Sequence, residues 1–210
     1  MTARKPAGSR RREIADAALK VIAEQGLARF TSLAIAREVG VSDAALFRHF
    51  PTKEAMVLAA IDRVEQVLFQ GFPPAGADPI DRLGTFFRQR IEVIRKNPGV
   101  ALLVGSEQLA QAAPPAGVAR VLEFRQRSRA FVRGCLAEAH RQGLLAPGLG
   151  PEEASVLVLG AILALAHAPP PGARTPAGLP ERVWAALERL LRRPSGRAPA
   201  PRLRPASSAR

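Results

Sequence analysis

The chain has 210 residues, 47% of them hydrophobic and 23% charged, enough for one mid-sized domain or for a module of about 50 residues beside a larger one. That composition can bury a core and excludes a wholly disordered chain. Lys and Arg number 31 against 18 Asp and Glu, a formal charge of +13, which points to nucleic acid or an anionic surface as partner.

The excess is not evenly spread. Arg4, Lys5, Arg10, Arg11 and Arg12 precede the first acid, and Arg197, Arg202, Arg204 and Arg210 follow Pro194 with no acid among them, so nine of the thirteen net charges sit in two tails. A compositional bias toward Arg accounts for this as well as a partner does. The one cysteine, Cys135, cannot close an intramolecular disulfide, so no oxidising compartment is needed and the cytoplasm is expected. The longest apolar run, 154–168, has 15 residues, short of the roughly 20 a membrane-spanning helix requires. No signal-peptide stretch follows the basic start, and neither export nor membrane attachment is expected.

Strand signals are almost absent, and the predicted fold is all-α with about nine helices. Over 10–25, Ile14, Ala17, Ala18, Val21 and Ile22 recur at three- and four-residue steps, with Gly26 as the stop. Thr31 offers an N-cap for a short helix over 33–39, Gly40 breaks it, and Ser42 caps a second short helix reaching Phe50. Thr52, with Glu54 in the first turn, starts a helix carrying Met56, Ala60, Val64 and Leu68, followed by a Pro- and Gly-rich linker over 71–78. The next helix, 79–96, steps through Ile80, Leu83, Phe87, Ile91 and Ile94, and Asn97-Pro98-Gly99 ends it. A shorter segment over 100–112 precedes a long helix over 117–142 with Val121, Phe124, Ser128, Phe131 and Cys135 on one stripe. An apolar helix (151–168) and an amphipathic one (180–193) complete the set, and the tail over 194–210 lacks the bulky apolar residues that ordering requires.

The stretch from Arg10 to Ala60 carries the function. Three helices with a tight Gly40-Val41 turn between the second and third are the sequence form of a helix-turn-helix, whose second element lies in the DNA major groove. Val39, Val41, Leu46 and Phe50 supply its small core, leaving Ala44, Ala45, Arg48 and His49 free, with Phe47 at the edge. Small side chains let a helix approach base edges, and an Arg can grip guanine with two hydrogen bonds. Thr31, Ser32, His49 and Lys53, with the amides at the starts of the second and fourth helices, suit phosphate oxygens. The module from Glu13 to Lys53 has five basic residues and five acids and is formally neutral. Phosphate affinity then leans on Arg10, Arg11 and Arg12.

The run FTSLAIAREVGVSDAALFRHFPTKEAM, Phe30 to Met56, closely resembles the DNA-binding domain of the TetR/AcrR family of bacterial regulators. The resemblance implies a homodimer on a palindromic operator, usually a repressor released by a small effector held in the C-terminal domain. Carried over by position, Thr31, Ser32 and Leu33 would meet phosphate. Ser42 would start the recognition helix, Asp43, Ala44, Ala45 and Arg48 would face bases, and Phe47, His49 and Lys53 would flank the backbone. Phe47 stands where members commonly carry Tyr and has no hydroxyl to donate; Leu33 stands where a polar residue is common. Asp43 also has a plainer role in the first-turn helix dipole.

The implied organisation is a basic disordered arm (1–9), a helix-turn-helix domain (10–56), a helical regulatory and dimerisation domain (57–193) and a disordered basic tail (194–210). Phe86, Phe87, Arg90, Phe124, Ser128, Phe131 and Cys135 are candidates for a ligand pocket, with ordinary helix packing as the competing account. The 154–168 helix, with Val183, Trp184, Leu187, Leu190 and Leu191, is the candidate dimer face. His140 and His167 have no ligand partners at metal spacing; no metal, cofactor or catalytic motif is expected. The segment 42–53 and Asn97-Pro98-Gly99 also look like those of the superfamily's nucleoid occlusion factors, which implies an alternative: a DNA-binding regulator of cell division acting through a protein partner.

Overall fold

The computed structural model describes residues 7–26, 30–105, 113–166 and 177–194. Among them are nine helices and no β-strand: α1 (Ala7–Gln25), α2 (Ser32–Val39), α3 (Asp43–His49), α4 (Lys53–Leu68), α5 (Pro79–Lys96), α6 (Pro98–Gly105), α7 (Pro115–Arg141), α8 (Pro151–Ala166) and α9 (Leu179–Leu191). The all-α expectation holds. α1 takes in residues 7–9, which the sequence assigned to the arm, and α6 starts at Pro98, whose missing N–H costs nothing in a first turn. Residues 1–6, 106–112, 167–176 and 195–210, including His167 and nearly all of the basic tail, lie outside the described residues.

Two apolar cores hold the helices. The first joins Ile14, Ala18 and Ile22 of α1 to Ile35 of α2, Leu46 of α3, Phe50, and Met56, Ala60 and Val64 of α4; it continues into Val100 and Leu103 of α6 and Val121 and Phe124 of α7. The second joins Leu83 and Phe87 of α5, Val132, Cys135 and Leu136 of α7, Ala154 and Val158 of α8, and Trp184, Leu187 and Leu191 of α9. α1 and α6 meet closely because residue 99 is glycine: a Cβ there would strike the backbone carbonyl of Leu19. Gly84 likewise admits the Trp184 ring, which lies 2.6 Å from where a Cβ would stand.

Two expectations for the last helices need correction. Trp184, Leu187 and Leu191 are spent inside the chain's own second core, leaving Leu190 as the exposed large apolar residue of α9. The all-round apolar surface of α8 predicts burial on several sides, but within the chain Ala154, Ser155 and Val158 face inward while Val156 and Leu157 are 71% and 43% exposed. The physical reason is periodicity. A helix that is apolar all round gives no moment from which to read its buried side.

Asp78 ties the end of α9 to the start of α5. Its carboxylate accepts from the amides of Ile80 (2.7 Å) and Asp81 (3.0 Å) as the N-cap of α5, and from the Arg192 guanidinium at 2.8 Å. Arg192 also pairs with Glu188 at 2.8 Å and with Asp81. Burial raises the Asp78 carboxyl, but Arg192 and the two amides outweigh it and hold it below its ordinary 3.8. A depressed carboxylate stabilises the fold above its unfolded value, and that contribution drains as pH falls through the folded one. Asp78→Asn keeps the cap and removes the charge, so it should lower stability by about 1–2 kcal/mol at neutral pH. In urea unfolding, the gap from the parent protein should persist to about pH 5 and shrink below pH 3.8; a gap that is flat with pH would contradict the assignment.

Candidate nucleic-acid interface and ligand cavity

Three hydroxyls build the first site locally. Thr31 Oγ1 accepts from the Ala34 amide (3.2 Å), Ser42 Oγ from Ala45 (3.2 Å) and Thr52 Oγ1 from Ala55 (3.1 Å), so α2, α3 and α4 each begin on a side-chain cap. A hydroxyl that accepts in a cap keeps its own proton for a phosphate oxygen. Gly40, at φ 73°, closes α2 in the left-handed region, and the Val41 amide returns to the Ala36 carbonyl at 3.0 Å. That closing bond turns the chain into α3.

Burying Leu46 and Phe50 fixes the rotation of α3. Ser42, Asp43, Ala44, Phe47 and Arg48 are left exposed, and Ala45 and His49 half-buried. Thr31, Leu33 and Lys53 are exposed and Ser32 half-buried. Phe47 does not pack into the core: it is 39% exposed, and Leu33 is 51% exposed.

The three arginines of α1 have different employments. Arg10 pairs with Glu13 at 2.9 Å. Arg11 donates to the His49 carbonyl at 3.2 Å and stacks over Phe50 at 4.6 Å, bracing the end of α3. Arg12 is exposed and forms no ion pair among the described residues. Four of the module's five acids are taken up, Asp43 being the exception: besides Glu13, Asp16 pairs with Arg63 of α4 at 2.6 Å, and Glu24 and Glu38 share Lys20 at 3.9 and 2.7 Å. Arg37, which sequence reasoning passed over, is exposed and joins Arg12, Arg48 and Lys53 as a cation with no acid partner among the described residues. The sequence had already pointed to Arg12, Arg48 and Lys53; that their charges stay unpaired is visible only in contacts distant in sequence.

The second site is a cavity of about 570 Å³ between the end of α4 and α5, α6, α7 and α8. Phe86, Arg90, Phe124 and Ser128 line it, together with Leu68, Ile94, Val100, Leu159 and Ile162, which sequence reasoning missed. Phe87, Phe131 and Cys135 do not reach it. Phe87 follows Phe86 by about 100° around α5 and packs on Trp184 at 5.3 Å. Phe131 lies behind the wall, 5.0 Å from Phe86 and 5.1 Å from Phe72. Cys135 is buried in the second core, where burial raises its thiol. α7 has 27 residues and is about 40 Å long, so one stripe passes from the first core across the cavity into the second.

Arg90 dominates this cavity. It is 7% exposed, stacks over Phe69 (5.0 Å) and Phe86 (4.8 Å), and donates to Ser128 Oγ at 3.2 Å. Burial, and then repulsion from Arg127, push it down to about 10, so it is charged at neutral pH. Arg127 sits 3.5 Å over the Phe69 ring and pairs with Glu65 of α4 at 3.2 Å; Arg120 pairs with Asp62. Phe69 follows directly on α4, so the helix that begins at the capping Thr52 ends against the cavity.

A sequence profile for bacterial regulatory proteins of the tetR family matches residues 14–60. A nucleoid occlusion factor SlmA from Marinobacter nauticus is 32% identical over 148 residues, 69% of this chain and 74% of that protein. The chain belongs to the TetR/AcrR family. A SlmA from Mannheimia succiniciproducens is 34% identical over 89 residues, 41% of this chain and 41% of its own length, so the chain spans about two fifths of the length of that relative. Among solved structures, the regulator AibR in complex with isovaleryl coenzyme A and operator DNA superposes with a TM-score of 0.70 at 20% identity, covering 87% of this chain and 97% of AibR. That likeness establishes the helix-turn-helix and helical C-terminal architecture of the family across nearly all of the chain.

The short α3 depends on its cap. Ser42→Ala should cost about 1 kcal/mol, and equilibrium unfolding in urea should show this loss with an unchanged denaturant slope. Ser42→Asp, which can also cap, should recover most of it.

Proposed function

We propose that this protein is a sequence-specific transcriptional regulator, a homodimeric repressor that acts in the cytoplasm and leaves its operator when a small molecule enters the cavity. It performs no catalysis. The observation that carries the reading is α3: an exposed surface of Ala44 and Arg48, set between the capped starts of α2 and α4. Arg48 reads a base while Asp43, Ala44 and Ala45 allow close approach. Thr31, Ser32, His49, Lys53 and Arg12 hold phosphates, and Arg37 is added to that set. Phe47 and Leu33 give the DNA backbone apolar contact only. Residues 10–56 form the DNA-binding unit and 57–193 the regulatory one, with the first core crossing between them.

The pairing surface lies on the exposed apolar side chains of α8 and α9, Leu157 and Leu190 among them. Two-fold pairing there sets the two α3 helices about 34–36 Å apart or further, to match two half-sites of an operator. A cavity of about 570 Å³ is within the usual range for small-molecule sites, about 300–1,000 Å³, and AibR holds an acyl coenzyme A on the same fold. Filling the cavity would move Phe69 and the end of α4, and with it the DNA-binding unit.

A second reading has one observation in its favour: relatives 34% and 32% identical to matched parts of this chain bear the name nucleoid occlusion factor. Genome-wide binding separates the two. A few operators near regulated genes support the repressor; dispersed chromosomal sites with no effect on neighbouring transcription support the second.

Arg48→Ala should weaken operator binding by about 1–3 kcal/mol and relax selectivity at one base position. Arg12→Ala and Lys53→Ala should weaken all sequences alike and lower the salt slope of log affinity by about 1 each, whereas Arg10→Ala, whose guanidinium is engaged by Glu13, should leave that slope unchanged. Mobility shifts on operator and random duplexes across a salt series check all four. The variant Leu157→Asp/Leu190→Asp should sediment as a monomer and lose operator affinity; a dimer of unchanged affinity would remove this surface from the proposal.

A further inference from the structure

The cavity holds a buried cation with no counter-ion. Among the described residues Arg90 forms no ion pair, and one of its N–H groups is spent, on Ser128. No Asp or Glu among the described residues lines the cavity, while Arg125 and Arg129 do, the latter exposed on α7. The remaining walls are apolar: Leu68, Ile94, Phe124, Leu159 and Ile162. We propose that the cavity binds an amphiphilic anion, its charged head on Arg90 and Ser128 and an alkyl or acyl body along the apolar walls. The inference rests on the effector reading above and names the class of effector.

Three physical comparisons decide the class. A neutral apolar ligand would expel water from Arg90 and leave its charge unpaired, which is costly in a low-dielectric site. A cationic ligand would meet the same charge, and the aromatic faces that attract cations are already occupied, since Arg90 itself stacks over Phe69 and Phe86. An anion gains charge-assisted hydrogen bonds from a guanidinium already fixed between two rings. Ordering costs little there. Because Arg90 touches Phe69, just past the end of α4, the head group would act on the element that leads to the DNA-binding unit.

The test titrates the full-length protein by calorimetry with decanoate, decyl phosphate, decanol and decyltrimethylammonium, each below its micelle concentration. Decanoate or decyl phosphate should bind about tenfold to a hundredfold more tightly than decanol, the range that a hydrogen bond to a charged group commands. The better of the two identifies a carboxylate or a phosphate head; either supports the proposal. In Arg90→Met the preference over decanol should fall to about twofold or less, while Arg90→Lys should keep part of it. If Arg90→Met fails to fold, Ser128→Ala and the comparison of heads on the parent protein still decide. Equal binding of acid and alcohol, tighter binding of the ammonium, or no binding of any probe overturns the inference. Operator binding on the same preparations separates the two readings. Sequence-specific DNA binding with no probe bound overturns the ligand class alone, and Arg90-dependent binding without any operator preference leaves the cavity assignment standing and removes the regulator.

Discussion

The recognition helix α3 has seven residues, too few to persist in water, where helices shorter than about 12–15 residues are marginal. What holds it is burial of Leu46 and Phe50 against α1, each worth roughly 1.5–3 kcal/mol. α1 is in turn clamped by α4 and, across Gly99, by α6. The reading surface therefore has no position of its own. It takes its position from the first core, and that core extends into α6 and α7, so the orientation of a seven-residue helix depends on packing far outside the DNA-binding stretch.

α4 is where the two parts of the molecule share a rigid element. Its 16 residues span about 24 Å, from the capped turn at Thr52 to Phe69, and two ion pairs, Asp62 with Arg120 and Glu65 with Arg127, fasten its far half to α7. The aromatic cluster at its end holds Arg90 and Arg127 on the rings of Phe69 and Phe86. Burial first, and repulsion from Arg127 second, depress Arg90, and both raise the cost of the unliganded arrangement. A site that is costly when empty of anion can favour one when offered.

Electrostatics in the DNA-binding module changed meaning between the sequence and the fold. Formal neutrality over 13–53 suggested that phosphate affinity had to come from the arginines before it. The fold shows that the acids Glu13, Asp16, Glu24 and Glu38 each have a cation beside them, supplied in part by Arg63 of α4. What stays exposed and without an ion pair among the described residues includes Arg12, Arg37, Arg48 and Lys53. A net charge counts residues, whereas a DNA phosphate meets only those whose charge has not been used.

The sequence alone determined the helices, their caps and the helix-turn-helix, because these follow from local rules: hydroxyls at helix starts, a glycine at a left-handed stop, and apolar residues at three- and four-residue steps. The residues of α3 that carry the site were legible for the same reason, since Leu46 and Phe50 settle which side is left over. Tertiary structure decided everything that depends on contacts between distant segments. It divided the α7 stripe between two cores and a cavity, turned Phe87 and Cys135 away from that cavity, and spent Trp184, Leu187 and Leu191 inside the chain. It also distinguished Arg10, Arg11 and Arg12, identical and adjacent in sequence, as an ion-pair partner, a brace for α3 and a cation with no ion pair among the described residues. Periodicity gives a helix its apolar side; which neighbour covers that side, and which charge remains unanswered, is settled only when the helices pack.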